Sequence, residues 1–396
     1  METLSPETLS ASETLAAFDV HPIRGFLPVS DPPRRLPPAF DAWEDFAREL
    51  DKHLIAGTAR RSIRELPELD PSTLEEPGDI ARAMLLLSYF GHAYIWGERT
   101  AVDRLPANLA IPWHATAVRL GRPPVLSYAS HALNNWRRLN PAGPVALGNI
   151  ARLENFLGGA DEDWFVLVHV DIEGRAGPAM EAIVEAQNAV IRDCAAAVEI
   201  HLGTIAGVLH QMLATLSRMP EQCDPYIYYN RVRPFIFGWK DNPALPEGVW
   251  YDGVSEYTTG QYFRGETGAQ SSIVPAIHGA LGISYASDPL REHVIGMRDY
   301  MPPKHRAFIA HVEQGPSIRQ FVQQQHKNGN TALSSLYNEC VTGVYKFQEK
   351  HLEYAGRYIH AQAQRATGNP VDVGTGGTPF MVYLKKHADD LNGYLL

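Results

Sequence analysis

The strongest constraint on the fold is one long helical pattern. Across 178–218, Ile183, Val190, Cys194, Val198, Ile205, Leu209, Met212 and Leu216 keep one face apolar, and the pattern stops before Pro220. A second helix is expected over 334–360, where Tyr337, Cys340, Val344, Phe347, His351 and Tyr358 fall on one stripe. That stripe turns His351 toward the interior. Earlier in the chain, DAWEDFARELDKHL opens a run of amphipathic patterns from about 40 to 118, with Trp43, Phe46, Leu50 and Leu54 in helical register. The fold class expected is therefore mostly α. WFVLVHVDI at 164–172 stays ambiguous, because its β-branched residues favour a strand while its surroundings are helical.

Pro, Gly and Asp divide this pattern into units. Residues 1–40 read as a flexible arm with a short Glu-Thr-Leu repeat, followed by the extended, proline-dense PVSDPPRRLPPAF. Residues 41–156 form a small, mainly helical unit, and a connector-like stretch between 138 and 163 places the boundary near 157. Residues 157–396 form the larger unit, inside which 221–275 reads as long irregular structure of the kind that tends to be functional.

A net charge of -10 argues against a nucleic-acid partner, since phosphate binding needs clustered Lys and Arg. Three widely spaced cysteines suggest neither a disulfide framework nor a zinc knuckle. No secretory leader or membrane-length apolar run is evident, so a soluble, cytoplasmic protein with no membrane partner is expected. Oligomeric state stays open.

Four candidates carry chemistry. His351, on an apolar helix face, is either a satisfied core histidine or a metal ligand, imidazole being a good axial donor to iron. His169, inside WFVLVHVDI, is either hydrogen-bonded in the core or turned to a polar ligand. Arg231 or Arg233, among aromatics at 228–243, either holds a carboxylate in its two-pronged fork or pairs with a surface acid. GTGGT at 374–378 lacks the ending of a P-loop and is either an ordinary turn or a ligand-closing segment offering the hydroxyls of Thr375 and Thr378. No HExxH, GxSxG or CxxC motif accompanies them.

Several long stretches together resemble the indoleamine 2,3-dioxygenase family: PPVLSYASHALNNW at 123–136, GWKDNPALPEGVWYDGV at 238–254, GAQSS at 268–272, MRDYMPPKHRAFI at 297–309, KHLEYAGRYI at 350–359 and GTGGTPFM at 374–381. The resemblance implies a two-domain helical fold with haem b in the larger C-terminal domain and His351 as proximal iron ligand. It further implies that Arg233 binds the substrate carboxylate. Phe165, Tyr228, Tyr128 and Gly268 then form the distal wall, and Thr375 closes over the amino-acid end. His169 departs from the serine of the animal enzymes and matches the distal histidine of the related tryptophan 2,3-dioxygenases. It can accept the indole N–H or donate toward oxygen. His131 is a second departure, expected to line the same cavity.

The reaction so implied is insertion of O2 across the indole C2–C3 bond of L-tryptophan, or a close relative, to give N-formylkynurenine. Monooxygenation or rearrangement of a modified tryptophan is an alternative, and a haem or tryptophan sensor without turnover is a third.

Overall fold

The computed structural model describes residues 10–284, 289–363, 386 and 390–396. Seven helices position the site: α1 (Ala11–Ala17), α2 (Pro77–Trp96), α3 (Ala107–Leu120), α4 (Ala160–Arg175), α5 (Gly177–Ile191), α6 (Ala195–Ser217) and α7 (Thr331–Ala355). The protein is mostly α. Strand structure among the described residues is confined to short pairs: Arg104–Leu105 runs parallel to Trp250–Tyr251, and Trp136–Arg138 runs antiparallel to Ile150–Arg152.

The pattern over 178–218 resolves into two helices. After Ile191 the chain turns through Asp193, whose φ of 51° lies in the left-handed region that Asp tolerates better than most residues. Cys194 then sits at the N-terminal boundary of α6 and is exposed. The apolar stripe passed through this turn without losing phase, so periodicity alone could not reveal a helical hairpin. Helix α6 packs lengthwise against both α5 and α7. These helices, together with Ile273–Leu281 and Pro303–Gln314, enclose the larger hydrophobic core.

The leader differs from the mobile arm expected. Ser10 and Glu13 form a reciprocal capping box that starts α1, and Ala11 and Leu15 are buried against the larger core. Val20 and Phe26 follow them into it. The ambiguous 164–172 segment is helical throughout as part of α4, because its acidic first turn, Asp161, Glu162 and Asp163, suits a helix N-terminus.

A second core gathers the N-terminal helices. Helix α2 is buried on nearly every side from Ala83 to Ile95, and Pro77 starts it where a missing N–H does no harm. At Gly91 the indole of Trp113 from α3 approaches so closely that a Cβ would lie 2.0 Å from its ring. Inside this core Arg82 forks onto Glu44 at 2.6 Å through two bonds and reaches Glu154 at 2.9 Å. The irregular region at 221–275 crosses over to complete it, contributing Phe235, Ile236, Trp239, Leu245, Val249, Tyr251 and Val254.

Candidate functional site

Helix α4 carries the centre of the site. Phe165 and His169 are one turn apart, so their rings share a face, with centroids 4.7 Å apart. The His169 Nδ1 lies 2.7 Å from the Phe165 carbonyl oxygen. A carbonyl can only accept, so Nδ1 bears the hydrogen and Nε2 keeps its lone pair. Burial pushes the His169 imidazolium below the ordinary histidine range, which holds the ring neutral. Both side chains remain half-buried and accessible.

Three other elements close around this face. A π-helical turn, Tyr228–Val232, sets the Tyr228 ring 4.7 Å from Phe165. Another, Ala129–Leu133, begins just after Tyr128, whose ring stands edge-on to His169 at 5.9 Å. The loop at Gly268–Gln270 is tied to Tyr128, because the Gln270 Oε1 accepts its backbone N–H at 2.8 Å. Gly268 itself is exposed, and a Cβ there would meet nothing within 4 Å, so it borders open space.

Helix α7 brings His351 to the same region. Its ring is accessible, yet burial among protein atoms lowers its pKa to about 4, and the proximity of His169 opposes protonation further. The stripe reading placed His351 toward the interior; in the structure the residue is exposed and its ring lies close enough to His169 to feel its charge. Beyond it the helix passes into a π turn at Gly356–His360, from which Tyr358 packs 5.8 Å from Tyr228 and donates to the Cys223 carbonyl at 2.7 Å. Helix α7 is thereby braced against the opposite wall.

Two expected lining residues are more enclosed than the sequence suggested. Arg233 is fully buried, its guanidinium 4.4 Å from the Phe237 ring and 5.2 Å from that of Tyr229, and desolvation lowers its pKa. His131 is 1 % exposed, with Nδ1 3.6 Å from the Glu266 carboxylate and its ring 6.2 Å from both Phe165 and Tyr89. It therefore sits in the packing around the wall and not on its open face. Thr375 and the GTGGTPFM segment lie outside the described residues.

Glu173 is the clearest residue the sequence reading missed. It lies one turn beyond His169, fully buried, with Oε1 accepting from the Ser271 hydroxyl at 2.7 Å and the Tyr128 hydroxyl beside it. Burial raises its carboxyl to about 7. It ties α4, the Tyr128 turn and the GAQSS loop together. Its signal was the four-residue spacing from His169, which acquires meaning only once 164–172 is known to be helical.

One accessible, neutral imidazole near an aromatic wall would hold the iron of a porphyrin. The His351 ring makes no hydrogen bond among the described residues, so its donor nitrogen is available. Among those residues no three His, Cys, Asp or Glu converge as an all-protein metal site. A mostly helical scaffold that places an accessible histidine near an aromatic wall has the donor set that a haem enzyme needs.

The family model described as indoleamine 2,3-dioxygenase matches residues 14–392. Indoleamine 2,3-dioxygenase 1 of Rattus norvegicus is 35% identical over 378 residues, covering 92% of each chain. Indoleamine 2,3-dioxygenase 2 of Homo sapiens is 31% identical over 389 residues, covering 95% of this chain and 94% of its own. A 6-hydroxytryptophan 2,3-dioxygenase of Fusarium equiseti is 29% identical over 393 residues, covering 93% and 94%. The chain belongs to the indoleamine 2,3-dioxygenase family and is a haem dioxygenase. Among the described residues no helix is long and apolar enough to cross a membrane.

Proposed function

We propose that the protein inserts O2 across the C2–C3 bond of L-tryptophan or a close indole derivative, giving N-formylkynurenine or its counterpart. The observation that carries this reading is the pairing of a free, neutral His351 with a wall of Phe165, His169 and Tyr228. His351 would hold the iron of haem b, and the haem supplies the dioxygen chemistry that side chains lack.

The chain's own residues bind and orient. Phe165 and Tyr228 offer stacking faces for the indole, and with His169 fixed as the Nδ1–H tautomer, Nε2 accepts the indole N–H rather than donating toward oxygen. Arg233, beside Tyr228, is the charged fork for the amino-acid carboxylate, a contact worth roughly 1.5–3 kcal/mol. Thr375 is proposed to close over the same end. Glu173 holds Tyr128 and the Gly268 loop against α4, which keeps the wall in place and water out.

Product mass from reduced enzyme, O2 and L-tryptophan tests the proposal: addition of two oxygen atoms is expected, and addition of one overturns it. A second reading has the same pocket act on a modified tryptophan in secondary metabolism. The 6-hydroxytryptophan enzyme among the relatives favours it, as do the polar His169 and Tyr228 of the wall. Faster turnover of a hydroxylated indole than of L-tryptophan would establish it. Oxygen consumption during turnover separates either reading from a non-catalytic sensor.

A further inference from the structure

A second feature lies on the N-terminal half, at the end of α3. There Gly121, with φ of 63°, closes the helix as a left-handed cap, and the chain continues into Arg122. The backbone N–H groups of Gly121 and Arg122 bond the Val118 and Ala117 carbonyls, so those helix-end acceptors are already used. The Arg122 side chain is 93 % buried by its 7 % exposure, a rare place for a guanidinium without an acid. Its Nη1 donates to the Ser127 and Ser130 hydroxyls at 2.9 and 3.0 Å. Among the described residues no carboxylate pairs with it, and burial alone pulls its pKa down to about 10.

Arginine has five N–H donors in a rigid fork, and two of the Arg122 nitrogens, Nε and Nη2, have no acceptor among the described residues. Neither is sealed within the protein. Arg122 instead lines a shallow, widely open surface cavity of about 300 Å³. Tyr257, Pro123 and Pro124 give it flat apolar walls, with His114 beside Tyr257 at 4.8 Å and Val118 at its edge. Asp299, also on the lining, is directed to Arg306 at 3.5 Å.

We propose that this cavity is a binding site for a small organic carboxylate with a flat apolar body, with the free edge of Arg122 as its anion-binding group. A carboxylate accepts two parallel bonds from such an edge, and the ring lies against Tyr257 and the prolines. A volume of this size accommodates a small metabolite. The site is separate from the haem cavity, yet the same guanidinium holds the turn that carries Tyr128 and His131.

Benzoate titrated into the haem-loaded enzyme, followed by calorimetry and by the Soret band, tests the proposal. The expected result is saturable heat with an unchanged Soret band, retained in Arg233→Ala and weakened about tenfold or more in Arg122→Gln. Val118→Asp places a negative charge at the edge from a residue that is 65 % exposed, so it leaves the core intact and should weaken binding several-fold even if Arg122→Gln misfolds. Absence of saturable heat in the wild type, equal affinity in the folded variants, or tighter binding of inorganic phosphate than benzoate at matched ionic strength overturns the proposal.

Discussion

Two parts of the molecule use histidine in opposite ways. In the N-terminal core, His92 donates from Nδ1 to the Phe235 carbonyl at 2.7 Å and accepts the Leu126 N–H on Nε2 at 3.0 Å, so both nitrogens are occupied. Its imidazolium is driven down to about 3 by burial. In the cavity, His169 has one nitrogen occupied and one open, and His351 has neither bonded among the described residues. All three rings are neutral at physiological pH and all lie on helices. What separates His92 from His169 and His351 is the number of ring nitrogens left unanswered among the described residues.

The largest test of that contrast is His351→Ala. The ring supports no hydrogen bond among the described residues, so far-UV circular dichroism should stay native while the haem Soret band and turnover vanish; an intact Soret band would place the iron elsewhere. His92→Phe should do the reverse. It strands a carbonyl and an N–H inside the core, at a cost of roughly 2–5 kcal/mol in urea unfolding, with turnover of the folded fraction near wild type. Loss of haem without loss of stability in that variant would break the comparison.

Arg233→Ala should raise KM about 10- to 100-fold through the lost carboxylate contact, with the Soret band largely kept, and wild-type KM would remove Arg233 from the site. His169→Phe keeps an aromatic ring but removes the acceptor, and kcat is expected to fall up to about tenfold, in proportion to one neutral hydrogen bond. An unchanged kcat would leave His169 as wall only.

The smallest effect concerns pH. Glu173 has its carboxyl raised to about 7 in the folded protein, so the native state keeps a proton that the unfolded chain releases above about 4.5. Its contribution to stability is full below that value and is lost as pH rises through 7, a tilt of about 1 kcal/mol between pH 6 and 8. Glu173→Gln should flatten the tilt in urea titrations across that range, and an unaltered slope would assign it to another group.

The helical class was legible because burial of one face imposes a 3.6-residue period, and α7 followed it as far as His351. The break at Asp193 was not, since a tight turn can preserve the phase of a stripe while reversing the chain. Nor was the capped α1, whose anchoring depends on a core formed far downstream. Phe165, Tyr228 and Tyr128 were picked out through resemblance and His169 first from its place in an apolar run, and the structure draws the four together. The enclosure of His131 and Arg233 was hidden, because burial depends on neighbours such as Glu266 and Phe237 that one-dimensional spacing does not rank. Glu173 was missed because a carboxylate in an unresolved strand-or-helix segment has no assigned face.

The crossover of 235–254 into the N-terminal core sets the order in which the polypeptide can mature. That core also takes Met297 and Tyr300, so its earliest helices wait for residues synthesised much later. A nascent chain ending before Trp239 would display the apolar surface of α2 and α3 without its cover, a surface suited to chaperone capture. For the same reason, proteolysis or fragment expression split near 157 should yield two sticky halves and not two independently folded pieces.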